Sequence, residues 1–280
     1  MAACLWLTHR SGTAYLYANL CPSVTPFKHL VTSFVTPIIL IPARLKATRL
    51  PDKPLADIHG VPMIVHVWRR AMEAKAGPVA VAAAEPEIAW AVEQAGGKAV
   101  LTDPDLPSGS DRVAAALEEL DPHGLYDVVV NLQGDLPTLD PAMVKACLEP
   151  LADPKVDIAT LAAPIQEGRE TVDPNVVKVA MGLHAGQHIG RALYFSRLPV
   201  PGGAGPHYHH IGIYAYRRAA LTRFVALPVG VLERRERLEQ LRALENGLRI
   251  DVALVDTVPF GVDTPADLER ARRLLAPSPT

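Results

Sequence analysis

The chain has 280 residues, 49% of them apolar and 21% charged, which suits one large α/β domain with ample length for a buried core. A formal net charge of -2 supplies no global field for nucleic acid or an anionic membrane, so any anion site must be a local cluster of cations. Three cysteines, Cys4, Cys21 and Cys147, stand singly with no CxxC or Cys/His zinc spacing, which argues against a disulfide framework and for a reducing cytoplasm.

Residues 1–36 contain no Asp or Glu, are rich in Ser and Thr, and lack helical or strand periodicity. Arg10 and Lys28 are too few cations for an organellar transit peptide, and Cys4–Leu7 is too short an apolar core for a secretory signal. The composition suits an unstructured extension or a misplaced translation start ahead of the first strand. No run approaches the roughly twenty apolar residues of a membrane span.

Ile38 to Ile41 has the length and β-branched content of a strand buried on both faces, and Pro42 bars a helix from following it. The loop beyond carries Arg44, Lys46, Arg49 and Lys53. In an open parallel sheet ligands bind beyond the carboxyl ends of strands, so these cations suggest a phosphate-bearing ligand, the alternative being a solvated loop.

Val61–Ala74, with Pro62 in its first turn, is expected to be an amphipathic helix. Val79–Ala83 reads as a strand, Glu85–Ala95 as a helix ended by Gly96 and Gly97, and Ala99–Leu101 as another strand, so the alternation is βαβαβ. Ser108-Gly109-Ser110 then starts an Ala/Leu-rich helix running to about Leu120. Such a turn can cap the helix, hold an anion or base edge on free N–H groups, or do both.

Tyr126–Leu132 is the strongest strand pattern and leads into Gln133-Gly134-Asp135. Asp140, ahead of Pro141, is the expected N-cap of the next helix, which leaves Asp135 without a capping role. Mg²⁺ accompanying a polyphosphate is held through one or two carboxylates, and Asp135 is a candidate for one of them.

From about 165 to 217 the pattern shifts to short extended runs, Val176–Met181 and Ile189–Ser196 with a Pro/Gly-rich stretch at 198–206, and suggests a β-rich insertion that covers a site or makes a dimer contact. His207, His209 and His210 precede a strand at Ile211–Tyr216. Zinc is disfavoured by the absence of a Cys or carboxylate at ligand spacing. A histidine and Tyr214 facing a polar pocket, or a surface cluster, remain open.

Leu232–Leu244 is expected to be one helix with a Leu238, Leu241 and Leu244 stripe and most of its charges solvated. After a strand at Ile250–Val255, Thr264, Pro265 and Asp267 fit N-cap, N1 and N3 of a capping box. Asp263 comes one residue too early to cap. With Asp135 it makes a second spare loop carboxylate, and two such groups can clamp Mg²⁺.

A cationic loop, two spare aspartates and a Ser-Gly turn are equipment for nucleotidyl transfer, which relies on positioning and charge neutralisation more than on covalent chemistry. No GxxxxGK[ST] phosphate loop and no GxGxxG after the first strand are present, which argues against P-loop NTPases and dinucleotide-binding oxidoreductases.

From Pro37 to the end the sequence closely resembles the 3-deoxy-manno-octulosonate (Kdo) cytidylyltransferase family. The resemblance is carried by IIPAR…TRLP.KPL at Ile39–Leu55, G.PMIVHV at Gly60–Val67, SG..R at Ser108–Arg112, VVN.QGD.P at Val129–Pro137, H.GIY.YR at His210–Arg217, LEQLR at Leu238–Arg242 and GVDTP.DLER at Gly261–Arg270. It implies attack of the anomeric hydroxyl of Kdo on the α-phosphate of CTP, with Mg²⁺, giving CMP-Kdo and pyrophosphate for lipopolysaccharide synthesis in the cytoplasm. It also implies that Arg44 and Lys53 hold phosphates, that Ser108 and Gly109 recognise the nucleoside, and that Asp135 and Asp263 bind magnesium. Gln133, His210, Tyr214, Glu239 and Gln240 would contact Kdo.

The fold implied is a mostly parallel, nucleotide-diphospho-sugar transferase-like sheet flanked by helices, spanning 37–280, with the 165–217 insertion serving dimerisation in a homodimer. The chain departs from the family pattern at Ala47 for Ser, Asp52 for Gly and Leu136 for an acidic residue. These departures keep two alternatives open: a cytidylyltransferase for another acidic sugar, such as 8-amino-Kdo or a sialic acid, or a non-catalytic nucleotide-binding paralogue.

Overall fold

A nine-stranded mixed sheet organises the computed structural model, which describes residues 35–46 and 49–276. Residues 1–34 of the expected extension, and the departure at Ala47, lie outside the described residues. Val35 and Thr36 lie inside them, and the Thr36 N–H and hydroxyl donate to Asp127 Oδ1 at 2.6 and 2.9 Å.

The strands are β1 (Pro37–Ala43), β2 (Asp57–Ile58), β3 (Val61–Pro62), β4 (Val79–Ala83), β5 (Lys98–Leu101), β6 (Val128–Asn131), β7 (Ile158–Pro164), β8 (Lys178–Gly182), β9 (Ile189–Ser196), β10 (Tyr208–Arg217) and β11 (Ile250–Leu254). The helices are α1 (Met63–Glu73), α2 (Pro86–Gln94), α3 (Gly109–Leu120), α4 (Ala142–Leu148), α5 (Gly168–Val172), α6 (Arg218–Ala226), α7 (Val231–Glu236), α8 (Gln240–Glu245) and α9 (Pro265–Leu274).

The main sheet runs β5-β4-β1-β6-β10-β7-β11-β9-β8. β5, β4, β1 and β6 are mutually parallel, β10 is antiparallel between β6 and β7, and β11 is parallel to β7. The chain leaves β1 toward β4 and β5 on one side and returns through α3 to β6 on the other. A crevice therefore opens where the strand order reverses, beyond the carboxyl ends of β1 and β6.

The alternation of β1 splits the core between the two faces. Ile39, Ile41 and Ala43 pack with Ile64 and Val67 of α1 and Val144 of α4, whereas Ile38 and Leu40 pack with Val113 of α3 and Phe224 of α6. A third cluster joins Ile58 and Met63 to Val262, Leu268 and Ala271, which seats α9 against the β2–β3 hairpin.

Several elements differ from expectation. Val61 and Pro62 pair with β2, so α1 begins at Met63; the turn between them uses His59 at φ 53° and Gly60 at φ 79°, the left-handed pair a two-residue hairpin requires. α4 begins at Ala142 with Pro141 at its N-cap, although the Asp140 carboxylate still accepts from Ala142 N–H at 2.9 Å. The Leu232–Leu244 segment is two helices, because Arg237 at φ 57° ends α7. The strands within 165–217 are continuous with the main sheet: β8 and β9 extend its edge, and β10 occupies its middle.

Candidate active site

The crevice is a cleft of about 430 Å³ lined by Pro42, Ala43, Arg44, Lys46, Arg49, Leu50, Lys53, Pro54, Ser108, Gly109, Arg112, Gln133, Gly134, Asp135 and Asp263. Its cationic side begins where β1 ends. Leu45 N–H donates to Glu85 Oε2 at 2.9 Å, tying the loop to the turn after β4. Asp52 at φ 51° then bends the chain into a short 3₁₀ turn, Lys53–Leu55. The left-handed backbone explains why glycine suits that position, and Asp52 is not among the residues lining the cleft.

The acidic side is built from two loops held together through their backbones. Gly134 passes so close to β1 that a Cβ there would lie 2.9 Å from Pro42 O, so only glycine fits unless the backbone shifts. The Asp135 carbonyl accepts from Val262 N–H at 2.9 Å, which brings Asp263 beside it. Leu136, the third departure, is buried in the core at 8% exposure. As expected, Thr264 caps α9 in a capping box with Asp267, so Asp263 is free of that duty.

Lys53 stands between the two carboxylates, with Nζ 2.8 Å from Asp135 Oδ2 and 3.1 Å from Asp263 Oδ1. Burial alone would lower the pKa of Lys53, but Asp135 and Asp263 outweigh it and raise it above its ordinary value. Arg49 closes the network on Asp263 Oδ2 at 3.1 Å, so it belongs to the site.

Two carboxylates converging on one cation fit Mg²⁺, which completes its shell with water and substrate phosphate rather than an all-protein cage. Among the described residues no group of three or more His, Cys, Asp or Glu side chains could hold a metal, and this includes the expected histidine cluster.

On the α3 side Ser108 is both cap and cleft wall. Its Oγ accepts from Asp111 N–H at 3.2 Å and lies 2.6 Å from Asp111 Oδ2 and 2.7 Å from Glu239 Oε1. Burial raises the pKa of Glu239 above its ordinary value, and the hydrogen bonds it receives from Ser108 and Ser110 only partly offset the effect.

His210 and Tyr214 of β10, Gln240 of α8 and Glu239 at its N-cap do not line the cleft, and Glu239 reaches it through Ser108. His210 is buried, edge-on to Phe195 at 4.9 Å and 5.5 Å from the Tyr214 ring. The Thr160 hydroxyl has the Ile211 and Ile213 carbonyls as acceptors, so it accepts from His210 Nε2–H at 3.0 Å. Burial pushes the His210 pKa down to about 3 and raises that of Tyr214 well above the usual phenol range. Gln240 is buried as well. The expected solvated face of this region is corrected too: Glu233 and Arg242 form a buried pair, with Nη2 2.7 Å from Oε1.

Two contributors escaped the sequence reading. Arg112 is 2% exposed and is held by Thr102 Oγ1 at 2.6 Å and Asp103 O at 3.0 Å while lining the cleft. Its signal was its place one helical turn after Ser108. Glu85 had no local signal beyond opening a helix.

Residues 38–250 match the cytidylyltransferase family. A 3-deoxy-manno-octulosonate cytidylyltransferase of Paramagnetospirillum magneticum is 67% identical over 241 residues, covering 86% of this chain and 98% of that one. Another, of Rhodospirillum rubrum, is 68% identical over 240 residues, covering 85% and 95%. The solved structure of a CMP:2-keto-3-deoxy-manno-octonic acid synthetase complexed with CTP superimposes with a TM-score of 0.79 at 40% identity, covering 86% of this chain and 98% of that one. With this cleft at the switch point of its sheet, the chain belongs to the 3-deoxy-manno-octulosonate cytidylyltransferase family.

Proposed function

We infer that the protein transfers the cytidylyl group of CTP to Kdo, forming CMP-Kdo and pyrophosphate. The observation that carries this reading is the convergence of Lys53 with Asp135 and Asp263 in a cleft whose other wall is Arg44, Lys46 and Arg49. Arg44 and Lys53 take the triphosphate, and their charge favours the departing pyrophosphate. Ser108 and Gly109, at the start of α3, face the nucleoside. Gln133 and the adjoining His210, Tyr214, Glu239 and Gln240 hold Kdo so that its anomeric oxygen meets the α-phosphorus. Positioning of this kind supplies much of the rate without a covalent intermediate.

Asp135 and Asp263 are the residues that would hold Mg²⁺. When bound, the ion neutralises charge on the triphosphate and on the leaving group. In the nucleotide-free arrangement Lys53 supplies the positive charge between the two carboxylates. The reading further places the reaction in the cytoplasm, where CTP is made, as the activating step for lipopolysaccharide synthesis. It makes the protein a homodimer joined through the β8–β9 edge, where Leu193 and Leu198 are exposed.

Pyrophosphate release from CTP and Mg²⁺ with a panel of acidic sugars tests this directly. Rapid turnover with Kdo is expected. Silence with Kdo beside strong turnover of 8-amino-Kdo or a sialic acid would reassign the acceptor, and silence with all of them would leave a nucleotide-binding paralogue.

A further inference from the structure

Both chain neighbours of Arg44 are pinned to the end of β4. Ala43 is in register with Ala83, and its carbonyl accepts from Ala84 N–H at 2.9 Å. On the other side of Arg44, Leu45 N–H donates to the Glu85 carboxylate at 2.9 Å. Three successive residues where the chain leaves β4 therefore hold the backbone around a cation that lines the cleft.

Glu85 is the N-cap residue of α2, with Pro86 behind it in the first turn, yet its side chain makes no capping bond. Side-chain acceptors at an N-cap usually turn back to the free amides of their own helix, whereas this carboxylate reaches across to the loop after β1. Arg112, a second guanidinium on the cleft wall, is tied to the same strand end. Its Nη1 donates to Thr102 Oγ1 at 2.6 Å, and that hydroxyl donates to Ala83 O at 3.1 Å. Burial holds the Arg112 pKa below its ordinary value; Glu85 is the leading charge that opposes this, and Arg44 adds to it. One carboxylate thus faces two cations that would otherwise only repel each other.

We propose that Glu85 is a positioning residue for the nucleotide: its carboxylate fixes the peptide between Arg44 and Leu45 and offsets the charge of Arg44 and Arg112, so that both keep their places on the cleft wall before the triphosphate arrives. This deepens the reading of CTP as nucleotidyl donor, on which it rests. Glu85 itself is not among the residues lining the cleft, so it acts through the two arginines. The role accounts for a helix that opens on a glutamate that does not cap it.

The test compares Glu85→Gln and Glu85→Ala with the wild-type protein, measuring KM for CTP, KM for Kdo and the melting temperature of each. Glu85→Ala leaves Leu45 N–H without its acceptor and the arginines without their counter-charge, and a rise of about tenfold in KM for CTP is expected, with KM for Kdo unchanged. Glu85→Gln keeps an oxygen for Leu45 N–H but no charge, so it should rescue part of the loss and raise KM for CTP by about threefold. That selective rise decides the matter if Glu85→Ala fails to fold. Unaltered KM for CTP in either variant overturns the proposal and leaves the donor assignment intact. So does an equal rise in both KM values, or a glutamine variant as damaged as the alanine one, since each marks a general loss of structure. A wild-type protein that turns over no CTP overturns the donor assignment, and the proposal with it.

Discussion

Lys53 Nζ lies 2.8 Å from Asp135 Oδ2, and the same ammonium reaches Asp263 at 3.1 Å, so one cation holds together carboxylates from loops after β6 and after β11. The bridge spans 82 residues to Asp135 and 210 to Asp263. It sets the two aspartates at a common point before substrate arrives.

Asp135→Asn or Asp263→Asn should lower kcat by about a hundred- to a thousand-fold, the usual cost of removing one preorganised charge from a transition-state site. In each variant Lys53 keeps the other carboxylate as a partner, so near-ultraviolet circular dichroism should be unchanged. Normal turnover in either variant would refute the metal assignment.

Lys53→Met removes the cation that occupies the space between the aspartates. Asp135 then lacks its cation and Asp263 keeps only Arg49, so the pair favours a divalent ion and Mn²⁺ should bind the nucleotide-free variant about tenfold more tightly than wild type, while turnover with CTP falls. Electron paramagnetic resonance of free Mn²⁺ reads the affinity. Equal affinity in the two proteins would show that Lys53 and the metal do not compete.

Glu239 accepts from the Ser108 and Ser110 hydroxyls, and an amide oxygen keeps one such acceptor. Glu239→Gln should therefore retain activity within about threefold of wild type, whereas Glu239→Ala removes both acceptors beside the cleft and loses at least about tenfold. Gln as damaging as Ala in steady-state assays would show that the carboxylate charge, not the hydrogen bonding, is what the site uses.

His210 folds with its pKa pushed down to about 3, against about 6.5 for an unfolded histidine. Between those values the unfolded chain binds a proton that the folded chain refuses. Stability therefore falls as pH drops from 6.5 toward 3, by up to about 1.4 kcal/mol per pH unit from this residue. Urea denaturation at pH 7, 6 and 5 should show a shallower pH dependence in His210→Leu than in wild type.

Arg242 and Glu233 form a buried ion pair with two hydrogen bonds, at 2.7 and 2.8 Å. Arg242→Leu leaves the Glu233 carboxylate buried without its partner and should cost about 3–5 kcal/mol in chemical denaturation. A cost under about 1 kcal/mol would mean that water reaches Glu233 in the variant.

Much of the site was legible locally. A β-branched run followed by Pro42 announced β1 and put the cations beyond its end, and capping requirements at Thr264 left Asp263 with no structural role. The Ser108 turn was readable as cap or ligand contact, and it is a cap that lines the cleft. The Leu232–Leu244 segment misled because two short helices with three residues between them, one left-handed, keep nearly the same apolar spacing as a single long one.

The sequence by itself determined the elements, their caps and the spare carboxylates, since those depend on patterns within some ten residues of one another. Only the tertiary structure decided which charges turn inward. Ser108 meets Glu239 across 131 residues and Lys53 meets Asp263 across 210, and no local period can carry such pairings. They follow from the order of strands, which slots β10 between β6 and β7 and so brings Tyr214 opposite Asn131.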